Sequence, residues 1–280
     1  MTLRISELKH PKEKIYGALT LIAGIIIWFA LLGFLVADLL NQNYRQSLVI
    51  ISYMFIAWLI SFIARALTRA YMFGHYVLVS PMQFPHLHQA VAEGAREIGL
   101  KEVPQTFVYN SNGIMNAMAL RLIGRKRYIW LTSALIDADD DNQVRFVIGH
   151  ELGHHAAGHL DEPWYLLRLP GVFIPFLGSA YSRGRELTCD RVGAYLAQDL
   201  NASRTALQML ASGSAKLNGK MNPDAFQAQE RLVPPVAGFF LNIISGYPRL
   251  TRRVEAVTTW HKGRSAATAA PVAAKPQPVA

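Results

Sequence analysis

Cysteine is nearly absent from this chain of 280 residues, and charged residues are scarce. The single cysteine, Cys189, cannot form a disulfide within the chain, which favours a reducing compartment such as the cytoplasm. Charged residues make up 17% of the sequence and hydrophobic residues 51%, whereas an average soluble domain has about 25% charged residues. This composition indicates a protein that places part of its surface in a membrane.

Acidic residues are fewer than basic ones, at 19 against 28, which gives a net charge of +9. A basic excess suits either nucleic acid or the anionic face of a membrane. No nucleic-acid-binding motif accompanies the charge, and many basic residues flank apolar runs. We therefore expect a lipid membrane, and no nucleic acid, among the partners.

Two long runs contain no charged residue. Residues 15–37, "IYGALTLIAGIIIWFALLGFLVA", are long enough to cross a hydrocarbon core about 30 Å thick. This run exceeds the roughly 7 to 15 apolar residues of a cleavable signal peptide, so we expect it to remain as an anchor. Residues 47–64, "SLVIISYMFIAWLISFIA", predict a second span. The alternative, two core helices of a soluble domain, is unusual for adjacent runs of this length.

Basic residues predict the orientation of the two spans. The connecting loop has Arg45, balanced by Asp38. The other basic residues near the runs lie before the first run, at Arg4, Lys9, Lys12 and Lys14, or after the second run, at Arg65 and Arg69. The positive-inside rule then places both ends in the cytoplasm. We expect a multi-pass protein of the plasma or inner membrane, with the rest of the chain facing the cytoplasm.

The chain divides into four predicted segments: a basic cytoplasmic N-terminus (1–14), a transmembrane hairpin (15–69), one folded domain (70–262) and an Ala/Pro-rich tail (263–280) expected to be disordered. In the domain, residues 84–100 have helical spacing. Three short strands are predicted at 105–109, 116–120 and 128–132, before helices take over. The fold class is therefore α+β, a mostly helical domain with a small sheet of antiparallel type.

A helix after the acidic run at 137–142 carries the motif "HELGH". His150 and His154 are four residues apart and project from one face, so their ring nitrogens can bind one metal ion while Glu151 reaches a water molecule on it. The motif arises by chance in about 1% of chains of this length. One zinc ion per chain is expected, because imidazole and carboxylate ligands with an open position suit catalytic zinc.

A third ligand is predicted in "SRGRELTCDR", residues 182–191. Glu186 would coordinate the metal, and Asp190, one turn later, would accept a hydrogen bond from the outer nitrogen of a ligand histidine, His150. Cys189 could also bind zinc but is interpreted as a small core residue. Gly149 and Gly153 are expected to allow close approach of a second helix and of a substrate.

Together with the strand "NAMAL" and the two apolar runs, these motifs resemble the HtpX-type integral-membrane zinc metallopeptidases of metallopeptidase family 48. The resemblance covers residues 85–257. It implies a gluzincin domain, endopeptidase activity on polypeptides and a role in membrane-protein quality control or processing. By motif match it implies zinc ligands at His150, His154 and Glu186, a general base at Glu151, and a substrate-binding edge strand at Asn116 and Ala117.

The chain departs from the family pattern near its end, where His-Pro is replaced by Tyr247-Pro248. The Tyr247 hydroxyl could donate a hydrogen bond to the negative oxygen that forms during peptide hydrolysis. Arg253, or a tyrosine nearer the metal, is the alternative donor. His155 and His159 are interpreted as packed or solvated residues and not as ligands.

Two functions stay open for the sequence alone. The first is a membrane-anchored zinc endopeptidase of misfolded membrane or cytoplasmic proteins, with an extended peptide added as a strand along residues 113–120. The second is a catalytically silent scaffold or adaptor whose zinc holds helices together. Glu151 favours the enzyme, because a structural site needs no carboxylate at an open metal position. No pattern predicts an oligomeric state.

One further apolar segment, residues 163–181, has a constrained topology. His154 and Glu186 must share one metal ion and so lie on one side of the membrane, which excludes a single crossing between them. Three prolines and Arg168 also disfavour a span. An interfacial or re-entrant segment is predicted.

Overall fold

The computed structural model describes residues 4–122 and 126–269. Its strands are β1 (Val77–Leu78), β2 (Gln105–Tyr109), β3 (Ala117–Arg121) and β4 (Arg127–Thr132). Its helices are α1 (Ile5–Leu8), α2 (Pro11–Leu40), α3 (Tyr44–His75), α4 (Pro85–Glu97), α5 (Ser133–Ala138), α6 (Asp141–Ala156), α7 (Trp164–Val172), α8 (Leu177–Ala197), α9 (Leu200–Ser212), α10 (Ala215–Asn218), α11 (Pro223–Ala228), α12 (Pro235–Ile244) and α13 (Leu250–Ala269). A 3₁₀ turn, Gln229–Leu232, precedes α12. The α+β class is confirmed.

Helices α2 and α3 form the predicted apolar hairpin. They contain 30 and 32 residues, more than the roughly 20 needed to cross a bilayer. In the most apolar stretch of each helix, 11% of α2 and none of α3 is buried. Core helices of a soluble domain would be covered, so the exposure of these two helices, together with their length and composition, is that of membrane spans. A hydrogen bond joins the two helices next to their connecting turn: the Asp38 carboxylate accepts it from the backbone N–H of Ser47 at 3.0 Å.

Helix α7 packs lengthwise against α2. The indole Nε1 of Trp28 donates a hydrogen bond to the carbonyl of Leu166 at 3.0 Å. A Cβ built on Gly24 would lie 2.2 Å from the carbonyl oxygen of Leu167, so the two helices meet at backbone distance. The segment at 163–181 thus lies alongside the apolar part of α2. This position agrees with an interfacial or re-entrant segment, and its depth in the bilayer stays a prediction.

The sheet is mixed, with strand order β1-β2-β4-β3. Strand β3 pairs antiparallel with β4, but β2 and β4 are parallel, with Gln105 opposite Tyr128. The expectation of an antiparallel-type sheet is therefore wrong for the central pair. The predicted bounds of β2, β3 and β4 agree with the observed bounds within one residue. Local patterns do not predict that β4 lies between β2 and β3 in the sheet. In this order β3 is an edge strand.

Helix α6 lies at the centre of the domain between two clusters of buried apolar side chains. On one side it packs with α4, the sheet and α8, through Leu87, Val91, Ile129, Leu131, Ile148, Leu152, Val192 and Leu196. On the other it packs with α9 and α13, through Phe146, Leu207, Val254 and Val257. The helix that carries "HELGH" is thus held from both sides, which fixes its side chains in position.

Helix α13 continues to Ala269. The expectation that disorder begins at Gly263 is therefore corrected for the first seven residues of the predicted tail. The guanidinium of Arg264 lies over the ring of Tyr195, 4.5 Å from its centroid, and also contacts Trp260. Such cation–π contacts stabilise the last turns of a helix whose composition is poor in apolar residues. The rest of the tail, residues 270–280, lies outside the described residues.

Candidate metal centre

Helix α6 begins with a capping box. The Asp140 carboxylate accepts a hydrogen bond from the backbone N–H of Gln143 at 2.8 Å, and the Gln143 side chain accepts one from the N–H of Asp140 at 2.9 Å. This reciprocal pair satisfies two N–H groups that the first turn leaves free. The helix therefore starts at Asp141, inside the acidic run and not after it, and its last turns carry the motif histidines.

Helices α6 and α8 meet at two glycines of the motif helix. A Cβ built on Gly149 would lie 2.9 Å from the Cα of Gly193, and one on Gly153 would lie 3.1 Å from the Cα of Cys189. The atoms nearest to both positions belong to α8. Close approach of a second helix thus explains the glycines, which do not face a substrate. This contact brings α8, with Glu186, to the histidines of α6.

Two ring nitrogens and one carboxylate converge at this contact. Nε2 of His150 lies 3.3 Å from one oxygen of Glu186, and Nε2 of His154 lies 3.7 Å from the other. Burial lowers the pKa of His154, so its ring is neutral and offers a lone pair. Burial alone would raise the pKa of Glu186, but its hydrogen bond to His150 lowers the value to about 2. Two imidazoles and an ionised carboxylate form a donor set that fits zinc.

Asp190 holds His150 as predicted. Its Oδ1 lies 3.0 Å from Nδ1 of His150, which turns Nε2 toward Glu186. Although burial opposes charge here, hydrogen bonds to Asp190 and Glu186 raise the pKa of His150 to about 10. The surrounding carboxylates therefore stabilise positive charge at this point, and the same field favours a divalent cation.

Arg253 of α13 completes the support on this side. Its Nε and Nη2 donate hydrogen bonds to the two oxygens of Asp190 at 2.9 and 2.6 Å, and Nη2 lies 3.8 Å from Glu186. Sequence reasoning considered Arg253 only as an alternative donor to the substrate. The structure places it as the partner of Asp190, sixty-three positions away in the sequence.

His154 has a different support, which sequence reasoning missed. Its Nδ1 lies 3.0 Å from Nδ1 of His159, and Nε2 of His159 lies 3.2 Å from Oε1 of Glu13 in α2. The second contact has ion-pair distance but falls short of hydrogen-bond geometry. His159 is buried and therefore packed, but the interpretation from the sequence missed its contact with His154. The sequence feature that could have indicated this support is Glu13, an acidic residue just before the first apolar run.

One protonation pattern satisfies this chain of contacts. If Nε2 of His154 binds a metal, its Nδ1 carries the proton and donates a hydrogen bond to Nδ1 of His159. Nε2 of His159 then carries a proton that faces the Glu13 carboxylate. Lys9 contacts the same carboxylate at 3.0 Å. By contrast His155 faces away, with Nε2 2.9 Å from the carbonyl of Tyr128, and is packed as interpreted.

Cys189 offers an alternative third ligand. Its Sγ and one nitrogen of each motif histidine, His150 and His154, all lie within 4.8 Å of one another. The side chain is fully buried in the contact with Gly153. Burial raises the pKa of the thiol well above its ordinary value, which disfavours the thiolate that zinc requires. Glu186, already ionised and facing both Nε2 atoms, is the better donor.

Glu151 lies beside the convergence point and contacts the sheet. Burial raises the pKa of its carboxyl to about 7, although His150 and a hydrogen bond from the backbone N–H of Ala119 lower it. A carboxyl with a pKa near neutral can both take and return a proton. The bond from Ala119 connects this group to the edge strand β3.

A cavity of about 230 Å³ opens over these residues. Asn116 and Ala117 lie on its wall, together with the motif side chains. Asn116 is fixed by its backbone N–H, which donates to Oγ1 of Thr132 at 3.0 Å. Tyr247 also lines the cavity and is 66% exposed. The structure thus brings all the predicted site residues to one place and adds Ala119, Arg253, His159 and Glu13.

Known proteins match both the sequence and the fold. Residues 81–173 match the family model of peptidase family M48. The plastoglobule-localized metallopeptidase 48, chloroplastic, of Arabidopsis thaliana is 31% identical over 173 residues, covering 56% of this chain and 49% of that protein. The chain thus spans about half the length of that relative. The crystal structure of S. mikatae Ste24p has a TM-score of 0.50 at 14% identity, covering 87% of this chain and 67% of the other, and shows the fold.

The fold combines two apolar helices of membrane-spanning length with a buried cluster of two histidines and a carboxylate beside an edge strand. Residues 81–173, about a third of the chain, are similar to peptidase family M48, and the fold is similar to that of Ste24p. The matched segment contains His150, Glu151 and His154 but ends before Glu186. The predicted roles of Glu186 and Asp190 therefore depend on the geometry of α8.

Proposed function

We propose that the chain is a membrane-anchored zinc metalloendopeptidase with one zinc ion per chain. The observation that carries this proposal is the convergence of the His150 and His154 Nε2 atoms on the two oxygens of Glu186, at 3.3 and 3.7 Å, inside an open cavity. The similarity of residues 81–173 to peptidase family M48 supports it.

The three side chains His150, His154 and Glu186 would hold the metal. A zinc ion in such a site polarises a peptide carbonyl and makes water more acidic. Asp190 and His159 hold the outer nitrogens of the two rings, so the Nε2 atoms stay directed at one point. Burial would raise the pKa of Asp190, but the charge of Arg253 and its hydrogen bonds lower the pKa and keep this carboxyl ionised.

Glu151 is the proposed general base. Its carboxylate would take the proton of the attacking water and deliver it to the leaving amine of the cleaved peptide. The hydrogen bond from Ala119 restrains the carboxylate at the cavity wall. A base with a pKa near 7 is well matched to both transfers at neutral pH.

The substrate would be an extended polypeptide added to β3. This strand is at the edge of the sheet, and Asn116 and Ala117 line the cavity. Main-chain hydrogen bonds along an edge strand tolerate many side chains, which suits proteolysis of misfolded membrane or cytoplasmic proteins. Quality control at the membrane is the corresponding cellular role.

We also propose that α2 and α3 cross the plasma or inner membrane and that the catalytic domain faces the cytoplasm. The basic residues before the first apolar run and after the second support this orientation. The relative from Arabidopsis thaliana is named for plastoglobules, and that location is a property of that protein.

The alternative function is a silent scaffold in which zinc only joins α6 to α8. The position of Glu151 favours the enzyme, because a buried carboxylate beside an open cavity has no use in a closed structural site.

The test is Glu151→Gln, which keeps the size of the side chain but removes its ability to take a proton. Cleavage of an unfolded reporter protein should fall at least about a hundredfold while zinc stays bound. Proteomic comparison of membrane fractions from wild type and this variant would then identify trapped substrates. Wild-type turnover by the Gln variant would overturn the enzyme assignment.

A further inference from the structure

A second cavity, of about 540 Å³, lies beside the start of α2 and shares no lining residue with the metal centre. Its walls come from α2, α8, α12 and α13, together with His10 and Pro248. Five basic side chains line it: His10, Lys12, Arg183, Arg191 and Arg252. Among the lining residues that the structure describes, Glu255 is the one acidic side chain.

Most of this positive charge has no carboxylate partner. Arg252 forms an ion pair with Glu230 at 2.7 Å. Arg183 donates to the backbone carbonyl of Ser245, which carries no net charge. Over residues 4–122 and 126–269, neither Lys12 nor Arg191 forms an ion pair. Three unpaired cations therefore face one carboxylate.

His10 reports the same positive potential. Burial, and then the nearby charges of Arg191 and Lys12, lower the pKa of its ring to about 4. The neutral ring accepts a hydrogen bond from the backbone N–H of Lys12 at 3.1 Å. An anion in this cavity would relieve the mutual repulsion of these groups.

The cavity lies beside the part of α2 where its apolar run begins. Tyr16, on its wall, is the second residue of the apolar run that starts at Ile15. Asn242 of α12 is also on the wall. The rest of α12 exposes an apolar face between 57% and 70% accessible, made of Val236, Phe239, Phe240, Leu241 and Ile244. Helix α12 is attached to α8 by Oγ of Ser179, which donates to the carbonyl of Ile244 at 3.2 Å.

We propose that this cavity binds the phosphate group of an anionic membrane lipid, whose acyl chains lie along the apolar face of α12. Guanidinium groups hold phosphate oxygens through paired hydrogen bonds, and Lys12 adds a point charge. Basic pockets between helices at the membrane surface suit lipid headgroups. The exposed apolar face favours a lipid over free phosphate, since a free anion would leave that face uncovered.

The test measures binding of a fluorescent phosphatidylglycerol to the full-length protein in neutral detergent, with phosphatidylcholine as the uncharged reference. Lys12→Gln combined with Arg191→Gln should weaken phosphatidylglycerol binding roughly thirtyfold, given the usual contribution of two basic residues. Lys14→Gln combined with Arg96→Gln removes the same charge from outside the cavity and should leave binding within about twofold.

A third variant covers the case in which the first does not fold. Glu255→Gln removes the cavity's carboxylate and should strengthen phosphatidylglycerol binding. Equal losses in the two double variants, or no response to Glu255→Gln, would overturn the proposed site. Displacement of the lipid by millimolar inorganic phosphate would overturn the lipid as the occupant and assign the cavity to a free phosphate.

Discussion

Glu13, in the first turn of α2, lies 3.2 Å from Nε2 of His159, and both side chains are buried. His159 in turn contacts Nδ1 of the motif residue His154 at 3.0 Å. The anchor helix therefore contributes a carboxylate to the support of the metal centre. Burying an acidic residue at the start of an apolar helix is costly unless it has such partners.

The first prediction tests this support with Glu13→Gln. The amide keeps the volume of the side chain but removes the charge that holds His159, so zinc affinity should fall about ten- to a hundredfold. Affinity is measured by competition with a chromophoric chelator. Glu7→Gln, an exposed change in α1, is the control. Unchanged affinity in a folded Glu13 variant would show that His159 orients His154 without the anchor.

The second prediction concerns the third ligand. Glu186→Gln should strip most zinc from the purified protein, because it replaces the ionised oxygens that face both Nε2 atoms. Cys189→Ala should leave zinc near one per chain, since the thiol packs against Gly153. Metal analysis of the two variants decides the matter. Loss of zinc in the alanine variant alone would assign the ligand to Cys189.

The third prediction is a pH dependence of stability at Asp139, next to the start of α6. Burial, and then the charge of Asp140, raise the pKa of Asp139 to about 7 in the folded protein. A raised carboxyl pKa gives stability that is full below the unfolded value, near 4, and is lost as the pH rises through 7. Asp139→Asn should therefore raise the melting temperature at pH 8 relative to wild type.

The comparison at acid pH is the control for that variant. At pH 4 the wild-type carboxyl is protonated in the folded protein, so the melting temperatures of Asp139→Asn and wild type should lie closer together than at pH 8. A gain of the same size at both pH values would attribute the effect to packing and contradict the titration.

Local sequence spacing predicted those parts of the site that depend on one helix. The pairs His150 with His154 and Glu186 with Asp190 are each one turn apart, so helical geometry alone places them together. Contacts that join distant segments were beyond such reasoning. The Glu13 contact with His159 and the Arg253 contact with Asp190 depend on how α2 and α13 pack against α8, which no local pattern encodes. The position of β4 between β2 and β3 could not be predicted either, because it depends on pairing between segments distant in the sequence.

The last prediction concerns the donor to the negative oxygen that develops on the attacked carbonyl. Arg253, one of the alternative donors, is engaged by both oxygens of Asp190. Tyr247 lies on the cavity wall and is 66% exposed, so its hydroxyl is the more accessible donor. Tyr247→Phe should lower kcat about ten- to a thousandfold with little change in KM, because the bond would form mainly in the transition state.

Zinc content and melting temperature should stay at wild-type values in that variant, since Phe keeps the ring. Tyr165→Phe, a half-exposed tyrosine of α7 that does not line the cavity, is the matched control and should retain full kcat. A well-folded Tyr247→Phe protein with unchanged kcat would eliminate Tyr247 as the donor. The zinc ligands and Glu151 would be unaffected by that outcome, because their assignment depends on α6 and α8 alone.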